Sequence, residues 1–143
     1  MAFDRPIGIL TICCEASDQS DLCKQAIIAS IRNRVAAGRW ETTVAGVCMQ
    51  RYQYSEYNDD AGDNRNLERV LALADDDPEI LAAGAAYDAT IDDPSLGATH
   101  FYAVGIPAPP WTIGATRTVQ IGKVIFWAIM HLTIRGSFDY PGP

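Results

Sequence analysis

One carboxylate in the first third of the chain could do acid chemistry, because its predicted helix carries no other charge after Arg5. Glu15 lies near the end of the run 6–16, in which most residues are apolar. Apolar surroundings raise the pKa of a carboxyl group, and the negative end of the helix dipole acts in the same direction. We therefore predict a carboxyl group that stays protonated near neutral pH, as a general acid requires. The segment alone leaves open an ordinary glutamate that reaches water.

The elements that must position Glu15 are mainly helices. The second predicted helix, over 22–37, has an apolar stripe at a four-residue step and ends at Gly38, so we expect it to be the central, largely buried helix. Three more helices are predicted at about 43–49, 67–74 and 78–90. The candidate N-caps of the first, fourth and fifth helices are Asp4, Asn66 and Asp77.

The last third of the chain has the pattern of strands. Residues 99–104 are strand-like, and 116–127 form two predicted strands joined by a tight turn at Gly122-Lys123. The proline-rich stretch 106–111 predicts an extended loop, and the aperiodic stretch 51–66 predicts a longer one. The sequence therefore predicts an α+β fold, with a mainly helical body and a small antiparallel β-sheet in the C-terminal third.

Size and charge limit the partners of the chain. Its 143 residues suffice for a single domain with a real core, and we expect one domain over 1–143 that acts as a monomer. A net charge of −7 argues against nucleic acid as a partner and gives no attraction to an anionic membrane. No signal-peptide pattern occurs, and no run approaches the roughly 20 apolar residues of a membrane span.

The cysteines and histidines give no sign of a metal site. Four cysteines and two histidines are present, without a Cys-x-x-Cys pair and without zinc-ligand spacing, so we predict no metal and no cofactor. Free buried thiols are the expected state of the cysteines. One disulfide, joining Cys13 or Cys14 to Cys23 or Cys48, stays open.

Four short blocks occur in a fixed order along the chain. They are Cys14-Glu15-Ala16, Asn33-Arg34-Val35, Gln53-Tyr54-Ser55 and Gly97-Ala98-Thr99-His100-Phe101-Tyr102. Together they resemble the cell-wall hydrolase family typified by the spore-cortex-lytic enzymes of spore-forming bacteria, whose domain phage endolysins share. The resemblance covers about residues 9–126 and includes the proline-rich segment before Trp111 and the hairpin 119–126.

This resemblance implies a lysozyme-like, mainly helical fold with a peptidoglycan-binding cleft. It also implies a peptidoglycan-degrading catalytic domain that cleaves the β-1,4 bond between N-acetylmuramic acid and N-acetylglucosamine. Glu15 matches the catalytic acid of the family, with Cys14 in place of a glycine. Gln19 stands where the family often has a second glutamate.

Seven further residues are expected to bind substrate, whereas we expect Asn33 to tie the central helix to a neighbouring loop. Aromatic rings offer flat faces to sugars, and polar side chains hydrogen-bond their substituents. The expected substrate-binding residues are Tyr54, Tyr102 and Trp111 against sugar rings, Gln53 and Ser55 at N-acetyl groups, and Thr99 and His100 along the cleft near Glu15.

The absence of a glutamate at position 19 bears on the mechanism. Most glycosidases use two carboxyl groups, whereas a lytic transglycosylase needs one, because the 6-hydroxyl of the substrate itself attacks the anomeric carbon. We therefore favour a lytic transglycosylase over a muramidase. A chain without an export signal suits a phage endolysin, held in the host cytoplasm before lysis and then acting on the cell wall.

Two other readings stay open. Cys14 and His100 are the residue types of a thiol peptidase or amidase, although apolar neighbours, the helix C-terminus and Glu15 all raise the pKa of a thiol at position 14. A homologue that binds the wall without cutting it is the non-enzymatic alternative, since a fold does not fix a function.

Overall fold

The computed structural model describes residues 3–50 and 65–129, and it confirms the α+β prediction. No helix in these two stretches is long and apolar enough to cross a membrane. In chain order the helices are α1 (Asp4–Ala16), α2 (Asp21–Ala37), α3 (Val44–Met49), α4 (Arg65–Leu71) and α5 (Pro78–Asp88). The strands are β1 (His100–Ala103), β2 (Thr116–Ile121) and β3 (Val124–Ala128), with a 3-10 turn at Pro110–Thr112.

Helix α2 is the buried centre of the helical body, as its apolar stripe predicts. The stripe residues Cys23, Ile27 and Ile31 are fully buried in the core. The Ser20 side chain caps the helix by accepting a hydrogen bond from the backbone N–H of Cys23. At the other end, Gly38 takes a left-handed conformation (φ 75°), which glycine adopts without strain.

The predicted caps of the first and fourth helices are wrong, because each side chain makes a tertiary hydrogen bond instead. The Asp4 carboxylate lies inside α1 and accepts from the backbone N–H of Ala45 in α3 (3.0 Å). Asn66 lies inside α4 and donates to the Cys14 carbonyl oxygen (3.0 Å). The Asp77 cap of α5 is confirmed, since its carboxylate accepts from the N–H of Glu79 (2.9 Å).

The three strands form an antiparallel sheet in the order β1-β3-β2. The hairpin between β2 and β3 turns at Gly122-Lys123, as predicted. Because side chains alternate along a strand, the sheet has two faces. An inner face carries Phe101 and Phe126, which pack into the hydrophobic core, whereas the opposite face, here called the outer face, carries His100, Tyr102 and Trp127.

Two neighbouring side chains of α2 fasten the helix to the start of β1. The Asn33 side chain donates to Asp93 Oδ2 (2.9 Å) and to the carbonyl oxygen of Ala98 (2.8 Å), which confirms its predicted tie to a neighbouring loop. The buried Arg34 guanidinium donates to the carbonyl oxygen of Thr99. Helix α2 therefore sets the position of the segment that leads into β1.

The cysteines in the described residues are free thiols, and none forms a disulfide. Cys13, Cys23 and Cys48 are buried, and Cys14 is half-buried. Burial raises the pKa of Cys13 and of Cys23 to about 11, so both are uncharged thiols at neutral pH. These groups fill the core and are poor nucleophiles.

Two helical glycines differ in the room around them, which predicts opposite effects of the same substitution. A Cβ atom at Gly8 would lie 2.5 Å from a ring carbon of Tyr87, so we expect Gly8→Ala to lower the free energy of unfolding by about 1–3 kcal/mol. At Gly84 the nearest atom is the flexible end of Arg5, at 3.2 Å, and Gly84→Ala should be neutral or stabilise by up to about 1 kcal/mol. Urea unfolding measures both, and equal effects would contradict the packing argument.

Candidate active site

Glu15 lies in the last turn of α1, where its side chain is half-buried. Helix α4 contacts the residue before it, Cys14, because the Asn66 side chain donates an N–H to the backbone carbonyl oxygen of Cys14. This contact occupies a carbonyl near the helix end, where backbone oxygens lack helical partners. The backbone that carries Glu15 is therefore fixed from a second helix.

The turn after Glu15 is fixed by the side chain of Gln19. Its Oε1 atom accepts a hydrogen bond from the backbone N–H of Lys123 in the β2–β3 hairpin (3.0 Å). Its Nε2 group donates to Asp18 Oδ1 (3.1 Å), and its own carbonyl oxygen accepts from the buried ammonium of Lys24 (2.6 Å). Position 19 therefore holds a structural amide that joins the end of α1 to the sheet.

The hairpin approaches Gln19 closely because it turns at a glycine. Gly122 has φ 58°, and a Cβ atom there would lie 2.6 Å from Gln19 Oε1. A larger residue at this position would be strained and would displace the Gln19 side chain. The Gly-Lys turn thus sets both the strand register and the contact with the end of α1.

His100 is a buried, neutral ring. Burial lowers its pKa well below the ordinary 6.5, and the nearby charges of Arg34 and Arg39 lower it further. Its Nδ1 atom lies 2.9 Å from Thr99 Oγ1, which also accepts from the backbone N–H of Ile129 (3.0 Å). The Thr99 hydroxyl has one hydrogen and two lone pairs, so it pairs with the Nδ1 atom in either tautomer of the neutral ring.

Aromatic rings surround His100 and continue along the outer face of the sheet. Trp40 meets the His100 ring edge-on at 5.6 Å between centroids, and Trp111 lies 4.8 Å from it. Trp111 also contacts Tyr102 (5.8 Å) and Trp127 (6.3 Å), while Tyr102 and Trp127 are nearly parallel, 20° apart. These rings form one continuous cluster.

The structure brings together four of the predicted site residues. Thr99, His100, Tyr102 and Trp111 belong to the aromatic cluster or bond directly to it. Within the described part of the chain, no hydrogen bond or ring contact joins any of the four to Glu15. The predicted residues outside the described stretches are Gln53, Tyr54 and Ser55.

Sequence reasoning missed two rings of this cluster. Trp127 pairs directly with His100 across β1 and β3, and its indole N–H is buried without a partner among the described residues. Trp40 follows α2 and lies under the guanidinium groups of Arg34 and Arg39, at 5.6 and 4.7 Å from its centroid. Pairing the predicted strands in register would have identified Trp127, whereas no sequence signal points to Trp40.

Comparison with known proteins gives one match. A family model described as Cell Wall Hydrolase matches residues 18–127. The matched range includes the Asn33-Arg34 block and the strand with His100, and it begins after Glu15. No curated protein matches the chain, and no solved structure does.

The lowered pKa of His100 predicts a pH-dependent stability. The unfolded chain binds a proton below about pH 6.5 and the folded chain does not, so the free energy of unfolding falls as pH drops below that value. The loss approaches about 1.4 kcal/mol per pH unit for one proton. We expect His100→Phe, which keeps an aromatic ring, to flatten this dependence in urea unfolding between pH 7.5 and 5.5. An unchanged slope would show that His100 is not the group responsible.

Proposed function

Since the chain belongs to the cell wall hydrolase family, we propose that it cleaves the β-1,4 bond between N-acetylmuramic acid and N-acetylglucosamine in peptidoglycan, with Glu15 as the general acid. The family supports a hydrolase that acts on the wall. The finer assignment depends on one observation, which is the half-buried carboxyl group at the anchored end of α1.

The anchoring of this helix end supports a catalytic role. A general acid must be held within hydrogen-bond reach of the oxygen that it protonates. Asn66 fixes the backbone just before Glu15, and Gln19 fixes the turn just after it. The two contacts hold the chain on both sides of Glu15, so the carboxyl group is carried by a rigid segment.

The Gln19 amide favours a lytic transglycosylase. Where the family often has a second carboxylate, this chain has a side chain engaged in bonds to Lys123 and Asp18. In our proposal Glu15 protonates the glycosidic oxygen, and the 6-hydroxyl of the muramic acid residue attacks the anomeric carbon. The hydroxyl proton returns to Glu15, so the products are an anhydro sugar and a free 4-hydroxyl, and no water is consumed.

A muramidase is the second candidate, because Asp18 is an ionised carboxylate in the turn after Glu15. The hydrogen bond from Gln19 lowers the pKa of Asp18. An exposed carboxylate of this kind is the chemical group that would act as base or nucleophile in a two-carboxylate mechanism.

A thiol peptidase or amidase that uses Cys14 and His100 has less support. The His100 ring is buried between Trp40 and Trp111, and its Nδ1 atom is hydrogen-bonded to the Thr99 hydroxyl. None of its hydrogen bonds in the described stretches reaches Cys14, although a thiol nucleophile needs a base within hydrogen-bond distance. The non-enzymatic alternative, a wall-binding homologue, would sediment with peptidoglycan and release nothing.

We further propose that the protein acts as a phage endolysin, accumulating in the host cytoplasm and reaching the wall at lysis. A protein of this kind works from inside the cell at high local concentration. Lysis after expression together with a membrane-permeabilising protein, and none without it, would support this role.

Replacing the proposed acid tests the function directly. We expect Glu15→Gln to reduce release of soluble muropeptides from purified sacculi by about 10²–10⁴-fold, the usual contribution of general acid catalysis. Unfolding by urea should match the parent protein and show that the fold is intact. Release at the parent rate by a folded variant would exclude Glu15 as the acid.

The products and an Asp18 variant separate the two glycosidase mechanisms. We expect mass spectrometry to find anhydro-muropeptides, and we expect Asp18→Asn to stay within about threefold of the parent rate, because a transglycosylase needs one protein carboxyl group. Reducing ends, together with a loss of 10²-fold or more in Asp18→Asn, would instead identify a muramidase in which Asp18 is the second carboxylate.

A further inference from the structure

Two rows of side chains cross the outer face of the sheet. Residues paired across antiparallel strands lie side by side on one face. One row is His100, Trp127 and Arg117, and the next is Tyr102, Ile125 and Gln120. Strands β1 and β3 thus supply the rings of His100, Tyr102 and Trp127, and β2 supplies polar groups at the edge of the sheet.

The polar pair at this edge is oriented by its own hydrogen bond. Arg117 and Gln120 share the outer face because the register shifts between Arg117 and Val119, and the guanidinium donates to Gln120 Oε1 (2.9 Å). Both side chains are exposed. A guanidinium has five N–H donors, so this one bond holds the group in place and leaves donors for a ligand.

The aromatic rings next to this polar pair form a continuous apolar surface. Tyr102 and Trp127 lie nearly parallel with centroids 6.3 Å apart, and Trp111 packs edge-on against both. All three side chains are half-buried, so each keeps part of its surface toward solvent. Flat aromatic surface with polar groups at its border suits an amphipathic ligand such as a sugar chain.

Charge indicates which ligand this face would take. The protein has 18 acidic and 11 basic residues, yet no Asp or Glu occurs from Pro94 to Ile129, the segment that forms the whole sheet. The same segment contains Arg117 and Lys123. The strands of the sheet therefore carry no acidic side chain of their own, and the exposed Arg117 offers a positive charge to an anionic polymer.

We propose that the outer face binds a peptidoglycan strand, with Tyr102 and Trp127 against its sugars and Arg117 on a carboxylate of a stem peptide. This assignment rests on the proposed function, because the occupant is the same polymer that Glu15 would cleave. It adds Trp127 and Arg117 to the substrate-binding residues and gives the protein a means of recognising stems that carry free carboxylates. An Arg–carboxylate pair is a charge-assisted hydrogen bond of high directional specificity.

Binding is measured apart from cleavage by using the Glu15→Gln protein as the parent. Its sedimentation with teichoic-acid-free sacculi gives an apparent Kd, and the same sacculi with stem carboxyl groups converted to amides serve as the second substrate. We expect Arg117→Gln to weaken binding to native sacculi about threefold to tenfold and to have no effect on amidated sacculi. Ala85→Glu, an equal change in net charge at an exposed position of α5, should leave both unchanged.

A separate variant tests how much the aromatic rings contribute to binding. We expect Trp127→Phe, which reduces the aromatic surface, to weaken binding to native and amidated sacculi alike, with urea unfolding as the check on its fold. Two results would overturn the carboxylate contact. One is that Arg117→Gln binds native sacculi as tightly as Ala85→Glu does. The other is that Arg117→Gln loses as much affinity for amidated sacculi as for native sacculi. Unchanged binding by folded Trp127→Phe would overturn the sugar contact. Continued cleavage by the Glu15→Gln parent, seen as released muropeptides, would instead refute the assignment of the acid.

Discussion

The hydrogen bond between the Gln19 side chain and the Lys123 backbone joins the sheet directly to the turn at the end of α1. The contact spans 104 positions in the sequence, and it links the turn that follows Glu15 to the hairpin of the sheet. Gly122 makes the approach possible, since a side chain there would take the space of Gln19 Oε1. Together with the bonds of Asn33 and Arg34 to the segment before β1, this link holds the sheet against the helical body.

This link also explains how position 19 can lack a carboxylate. An amide both accepts and donates, so Gln19 bonds to the hairpin and to Asp18 at the same time. A glutamate would keep the first bond, lose the second and place a negative charge beside Asp18. The turn is therefore built around the amide of Gln19.

Much of the fold could be predicted from local patterns, and the failures share one cause. The stripe of α2, the Gly38 cap, the Asp77 cap and the Gly-Lys turn are local signals, and the structure confirms them. Asp4 and Asn66 are equally good cap residues, but each bonds to a distant part of the chain. Trp127 was missed for the same reason, because its place in the cluster follows from strand pairing. Local sequence predicts elements well, whereas tertiary partners compete for the same polar groups.

The burial of His100 limits the part that its ring can play in proton transfer. Desolvation and two guanidinium groups all disfavour the charged imidazolium, so the ring stays neutral. An imidazole whose pKa is lowered in this way does not supply protons at neutral pH, and the Nδ1 atom of this ring is engaged in a hydrogen bond with Thr99. Its contacts with Trp40 and Trp111 make it a packing element that orders the rings of the sheet. The imidazole of His100 is therefore unsuited to donate a proton at neutral pH, and our proposal assigns that step to the half-buried carboxyl group of Glu15.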